Sequence, residues 1–278
     1  MPVTVGAEAF HAASPDRRSA RGYRRVAYPH IRPGILEVPA SVRLRPIACR
    51  LGPPRRVGYV EGTGDRVPEA LTLLGLRPVY LTPDSLLTGN LDAFDVILLG
   101  VRAYKVRPDL ARARDRLFDW VARGGTLLVQ YNKLEFNAGA PESPFAPYPG
   151  ASVGHHRVTV EESPVEVLDP AHPILTRPNR LGAADWAGWV QERGLYFLDT
   201  TDPRYHDLVR LEDPFPYNAG PRSGALVSAA YGRGTWVYIG LGLFRQLPAA
   251  VPGAFRLLAN LIALGRPAPA SVGSGSGR

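Results

Sequence analysis

Two groups of polar side chains stand where a strand-forming run gives way to a loop, the position at which open α/β sheets bind ligands. Arg102 and Tyr104 follow the apolar run Phe94-Asp95-Val96-Ile97-Leu98-Leu99. Gln130, Tyr131 and Asn132 end the run Gly124-Gly125-Thr126-Leu127-Leu128-Val129. In a doubly wound sheet both loops emerge at one edge, so these side chains can converge. Trp186, Trp189, Glu192 and Arg193 come from a later β-rich stretch and can line the same mouth. Aromatic rings beside amides and an Arg–Glu pair suit a sugar: rings stack on C–H faces and polar groups read hydroxyls. The alternative is structural, with Trp186 and Trp189 as core anchors and Glu192 and Arg193 satisfying buried backbone.

Covalent and metal chemistry find little support. Cys49 is the single cysteine, which excludes an internal disulfide. It lies in the alternating stretch Arg45-Pro46-Ile47-Ala48-Cys49-Arg50, which reads as a strand, and a buried structural thiol fits it better than a reactive one. No Gly-x-Ser-x-Gly elbow occurs. His155 and His156 are adjacent, so on a strand they face opposite ways and cannot readily share a metal; Glu161 and Glu162 repeat the problem. Gly62-Thr63-Gly64 precedes a helix but lacks the third glycine of a dinucleotide fingerprint and the lysine of a P-loop, so it reads as a tight βα turn. No cofactor and no metal are expected.

The elements that must position these groups begin at Arg56. Val57–Val60 reads as a first strand, and Asp65 leads into a helix with Pro68 in its first turn and an end near Gly75. Pro78–Leu81 and Phe94–Leu99 follow as strands, then a helix over Pro108–Arg123 and the strand Thr126–Gln130. This alternation predicts an α/β fold with a doubly wound, mostly parallel sheet. Past Phe145 come β-rich pieces at Arg157–Val160, Gly194–Leu198, Ala225–Ala230 and Thr235–Leu241, then a closing helix over Leu247–Leu264. The division expected is a disordered lead over 1–22, a β-strand remnant and linker over 23–55, the α/β domain over 56–266 and a flexible tail over 267–278.

The net charge of +8 belongs to the beginning of the chain. Residues 1–56 hold eleven arginines against three acids, while residues 57–278 balance 22 bases with 22 acids. These arginines are scattered among Pro, Ala and Val without a basic helix face, so a solvated edge is expected and no nucleic-acid partner. No apolar run has the length of a membrane span or a signal peptide, which reads as a cytoplasmic chain as written with no membrane partner; a longer parent can be exported.

Several blocks together resemble the C-terminal region of the long bacterial PIG-L (LmbE-like) family deacetylases. They are Tyr28-Pro29-His30-Ile31, Val57-Gly58-Tyr59-Val60 with Gly64-Asp65, Gly100-Val101-Arg102-Ala103-Tyr104 and Gly125–Asn132. Trp189-Val190-Gln191-Glu192-Arg193-Gly194-Leu195-Tyr196-Phe197 and Leu241–Pro248 complete the set, which covers about 23–265. The resemblance implies a class I glutamine amidotransferase-like (flavodoxin-like, ThuA-like) domain with a β-rich insertion, following a zinc-dependent deacetylase domain. At the strand end where such folds carry a cysteine nucleophile, this chain has Gln130, Tyr131 and Asn132. The family's zinc motif is imitated only by Ala171-His172-Pro173, where Ile174 and Leu175 replace the aspartates, so a proline-framed turn is the better reading. The expected role is a truncated, non-catalytic accessory domain that binds carbohydrate and whose partner is the missing or separate deacetylase domain. The rival is a ThuA-like sugar-modifying hydrolase or isomerase using Glu192.

Overall fold

Thr126–Gln130 is the central strand of a seven-stranded sheet in the computed structural model of this chain, which describes residues 9–11, 21–43, 45–53 and 55–265. The strands are β1 (Val57–Val60), β2 (Val79–Tyr80), β3 (Val96–Leu99), β4 (Thr126–Gln130), β5 (Tyr205–Asp207), β6 (Leu226–Tyr231) and β7 (Gly234–Ile239). Across the sheet they run β2-β1-β3-β4-β7-β6-β5. The first five are mutually parallel; β6 runs antiparallel to β7, and β5 antiparallel to β6, so β5 points the same way as the first five. Every residue of β1, β3 and β4 is buried, as strands covered on both faces must be. Val60 pairs with Leu99, Leu99 with Val129 and Gln130 with Ile239, so the four inner strands finish nearly level at one carboxyl edge. The fold is mixed α/β, with this large sheet and several two-stranded antiparallel pairs.

Local chemistry explains where the elements begin and stop. Helix α1 (Val67–Leu73) carries Pro68 in its first turn and is followed by Gly75 at φ 79°, which ends it. The helix expected over Pro108–Arg123 is two pieces, Asp109–Arg112 and Arg114–Ala122, separated at Ala113, whose ψ of −3° opens the ladder. The closing helix starts at Pro252 rather than Leu247: Pro248 and Pro252 have no N–H to give, and the segment between them turns through Ala250 at φ 54°.

Three strand expectations fail for identifiable reasons. Cys49 lies outside any strand, between Pro46 and Pro53; its half-buried thiol faces the Phe255 carbonyl at 3.8 Å, and burial raises its pKa. Only Arg157–Val158 of the expected Arg157–Val160 pairs, because the Thr159 and Val160 N–H groups donate to the Asp213 carboxylate instead (2.8 and 3.0 Å). Gly194–Leu198 splits at Tyr196, whose φ of 53° reverses the pleat. Gly194–Leu195 then pairs with Arg157–Val158, and Leu198–Thr200 with Ala151–Val153.

The chain forms two compact units divided between Ala48 and Cys49. In the first, Arg21–Val26 pairs antiparallel with Gly34–Pro39, and Ala9–His11 with Ser41–Arg43. Tyr23 and Ile35 share one face of the ribbon and are 71% and 75% exposed. The rest of the expected disordered lead before Arg21, and the tail from Pro267, lie outside the described residues.

Candidate functional site at the carboxyl edge

The inner floor of this edge is built around Asp65. Its Oδ1 accepts the Tyr59 hydroxyl (2.9 Å) and the Val67 N–H (3.0 Å), and its Oδ2 accepts the Val101 N–H (2.8 Å) and Gln130 Nε2 (3.2 Å). Burial first, and then the neighbouring carboxylate, push the Tyr59 phenol far above its ordinary range. A Cβ on Gly100 would lie 2.6 Å from the Tyr59 hydroxyl and 2.7 Å from the Gly62 nitrogen, so only glycine lets the loops after β1 and β3 meet here. The Gly62–Gly64 turn is spent on that contact: Thr63 donates its N–H to the Val101 carbonyl at 2.8 Å.

Beside this floor lies an aromatic shelf. The ring of Tyr131, following β4, stacks on Phe244 (centroids 5.4 Å apart, planes 17°) and meets Tyr196 at 5.8 Å. Lys133 Nζ sits 5.2 Å from the centroid of Tyr196. Two ion pairs border the shelf. Arg102 grips Glu135 with two bonds, 2.7 and 3.1 Å, and Arg245 Nε meets Glu192 at 2.5 Å while its other arm reaches Gln191. Burial alone would raise the Glu135 carboxyl; the Arg102 bonds, with the Lys133 and Glu135 N–H groups, outweigh it and hold it below the usual range. Burial raises the Tyr131 phenol pKa, and the charge of Arg102 opposes that rise.

Backbone strain collects here as well. Arg102, Gln191 and Tyr196 have φ of 53°, 69° and 53°, a left-handed region that non-glycine residues seldom occupy and that costs about 1 kcal/mol or more each. Each is held by its surroundings. The Arg102 N–H donates to the Tyr131 carbonyl (2.9 Å), the Tyr196 carbonyl accepts the buried Tyr238 hydroxyl (2.8 Å), and Gln246 clamps Val190 beside Gln191 through two bonds.

The seven residues singled out from sequence divide into four sets. Arg102 and Glu192 border the shelf. Gln130 and Asn132 lie beneath it, 2% and 0% exposed; Asn132 Nδ2 donates to the Gln130 carbonyl (2.9 Å), and Gln130 serves Asp65. Tyr104 packs inward, stacked on Phe145 at 4.1 Å, and burial raises its phenol pKa. Trp189 and Arg193 are buried on the other side of the Glu192–Arg193 segment, with Trp189 Nε1 bonded to the Asp185 carbonyl (3.1 Å). Tyr196, Phe244, Arg245, Lys133 and Glu135 were not foreseen. Phe244 and Arg245 follow β7, so the strand-end rule finds them once β7 is placed as a parallel strand; Glu135 and Tyr196 carry no such signal.

His155 and His156 do diverge, the first to the Tyr196 ring (5.7 Å) and the second to Asp199 (3.7 Å). His172 caps a single helical turn over Pro173–Thr176 by accepting the Ile174 N–H at 3.2 Å. Among the described residues, no cluster of three or more His, Cys, Asp or Glu can hold a metal, and no helix is long and apolar enough to cross a membrane.

No protein-family model matches the chain, and no curated protein matches it in sequence. Among solved structures, Cytoplasmic Protein STM3548 from Salmonella typhimurium is 14% identical, with a TM-score of 0.49, over 76% of this chain and 100% of that one. Cytoplasmic Protein STM1381 from Salmonella typhimurium LT2 is 14% identical, with a TM-score of 0.47, over 90% and 97%. The β-galactosidase from Rahnella sp. R3 is 16% identical, with a TM-score of 0.46, over 77% of this chain but only 32% of that enzyme. These likenesses are distant, and neither activity nor ligand passes from them to this chain. The PIG-L resemblance finds no support in any matching sequence family.

Proposed function

We propose that this chain is an amidotransferase-like domain without a nucleophile, serving as the carbohydrate-binding accessory part of a PIG-L-type deacetylase, with the aromatic shelf as its ligand surface. The observation that supports this reading most is the end of β4. Where an amidotransferase-like fold would present its nucleophile, Tyr131 offers a ring to the shelf, and the next side chain, Asn132, is fully buried and hydrogen-bonded to Gln130. No thiol or activated hydroxyl stands there. The half-exposed rings of Tyr196 and Phe244, backed by the buried Tyr131 and set between two Arg–Glu pairs, suit a pyranose: rings cover its C–H faces, and guanidinium and carboxylate groups meet its hydroxyls. The rival hydrolase or isomerase needs Glu192 free to move a proton, and that carboxylate is engaged by Arg245.

Calorimetric titration of the full chain with an N-acetylglucosaminyl disaccharide tests the reading. Weak binding is expected, weakened several-fold by Tyr196→Ala and by Glu192→Gln, since each removes about 1 kcal/mol of contact. Absence of binding, or binding indifferent to both variants, removes the shelf as a carbohydrate surface. Turnover of the disaccharide that Glu192→Gln abolishes would establish the rival.

A further inference from the structure

Arg193 is 3% exposed, and none of its charge is neutralised by contact. Its Nε donates to the Ser163 carbonyl at 2.8 Å, one terminal nitrogen donates to the Trp186 carbonyl, and the guanidinium lies 5.6 Å from the centroid of the Trp189 ring. No carboxylate of a described residue comes within 4.0 Å of it. Asp185, next to Trp186 in the chain, is committed to Arg256 (3.0 Å) and to the Gly182 N–H (2.8 Å). The second terminal nitrogen of Arg193 has no partner among the described residues, yet it is not sealed in. Arg193 lines a cavity of about 430 Å³, together with Trp186, Gly188, Pro164, Glu161 and Glu162. Burial lowers the guanidinium pKa to about 10, and the more distant Glu162 and Glu161 oppose that fall.

The walls of this cavity present opposite demands. A buried guanidinium with an unused donor asks for an anionic acceptor. Glu161 and Glu162, which also line the cavity, penalise any ligand that brings negative charge alone, and Arg193 penalises one that brings positive charge alone. Trp186 and Pro164 supply apolar surface, and the volume suits a molecule the size of an amino acid. We infer that this cavity binds a small zwitterion of the ω-amino acid class, its carboxylate on the free donor of Arg193, its ammonium at Glu161 and Glu162, and its alkyl chain along Trp186. The site is separate from the aromatic shelf, because Glu192 and Arg193 direct their side chains to opposite sides of the segment that carries them.

Titration of the full chain with ε-aminocaproate, and separately with caproate and hexylamine as half-ligands, tests the inference by calorimetry and tryptophan fluorescence. ε-Aminocaproate is expected to bind, with each half-ligand about tenfold weaker, the loss of one charge-assisted contact. The double variant Glu161→Gln, Glu162→Gln changes exposed or half-exposed side chains and leaves the fold intact; it should lose the preference for ε-aminocaproate over caproate. Arg193→Met should lose both carboxylates, with circular dichroism confirming that the variant folds. The inference is overturned if no probe binds, if caproate binds as well as ε-aminocaproate, or if the glutamine variant keeps the full preference.

Discussion

Glu192 and Arg193 are sequence neighbours with opposite circumstances. Glu192 leans toward the carboxyl edge, partly exposed and met by the guanidinium of Arg245; Arg193 turns into the protein and meets only carbonyl groups and the Trp189 ring. The Asp65 floor and the aromatic shelf repeat the contrast. Asp65 spends both oxygens on internal donors, whereas Arg102 and Glu135 pair with each other, each with 19% of its side chain still exposed. A charged residue near a strand end therefore says little about binding by itself. What separates fastening from recognition is whether its partners are backbone groups that need it or side chains that water could replace.

The contrast is broken most forcefully at Asp65. Asp65→Ala leaves the Tyr59 hydroxyl, two backbone N–H groups and Gln130 Nε2 without their acceptor, and a loss of about 3 kcal/mol is expected. Urea denaturation measures it, and a loss below about 1 kcal/mol would mean that water substitutes freely and the floor is not a fastening.

The next largest effect separates the two neighbours. Arg193→Ala strips two carbonyls of their donor and removes packing from Trp189, for an expected cost of about 2 kcal/mol. Glu192→Ala should cost about 1 kcal/mol or less, because its pair with Arg245 reaches solvent. Thermal melts of both variants in ligand-free protein check the order; equal losses would erase the distinction.

The smallest effect is carried by pH. Glu135 has its pKa lowered from 4.5 in the folded chain, so the stability it contributes is fully present above that ordinary value and is lost as pH falls through the lower folded value. Glu135→Gln should therefore be less stable than the parent at neutral pH, by about 1 kcal/mol, and the gap should close on acidification. A gap that stays constant with pH would mean that packing, not the Arg102 pair, is what the substitution removes.

Much of the scaffold was legible because its signals are local. Val57–Val60 and Thr126–Gln130 match the observed strands residue for residue: a strand covered on both faces must be apolar throughout and bounded by glycine and polar turns. Signals failed where a distant group took over a backbone donor. Asp213 draws off the N–H groups of Thr159 and Val160 and ends that strand early. At Tyr196 a long-range contact, the buried Tyr238 hydroxyl on its carbonyl, accompanies a conformation that no local rule assigns to tyrosine.

By itself the sequence determined that a mostly parallel sheet would form, and that the residues after its strands would gather at one edge. Apolar runs of strand length alternating with amphipathic helices leave few other ways to bury their surface. Only the tertiary structure decided how those residues are used. Arg102 finds its carboxylate 33 positions away and Glu192 its guanidinium 53 positions away, while Gln130 and Asn132 turn inward to satisfy the floor. Such pairings depend on which loops meet in space, and spacing along the chain does not encode that.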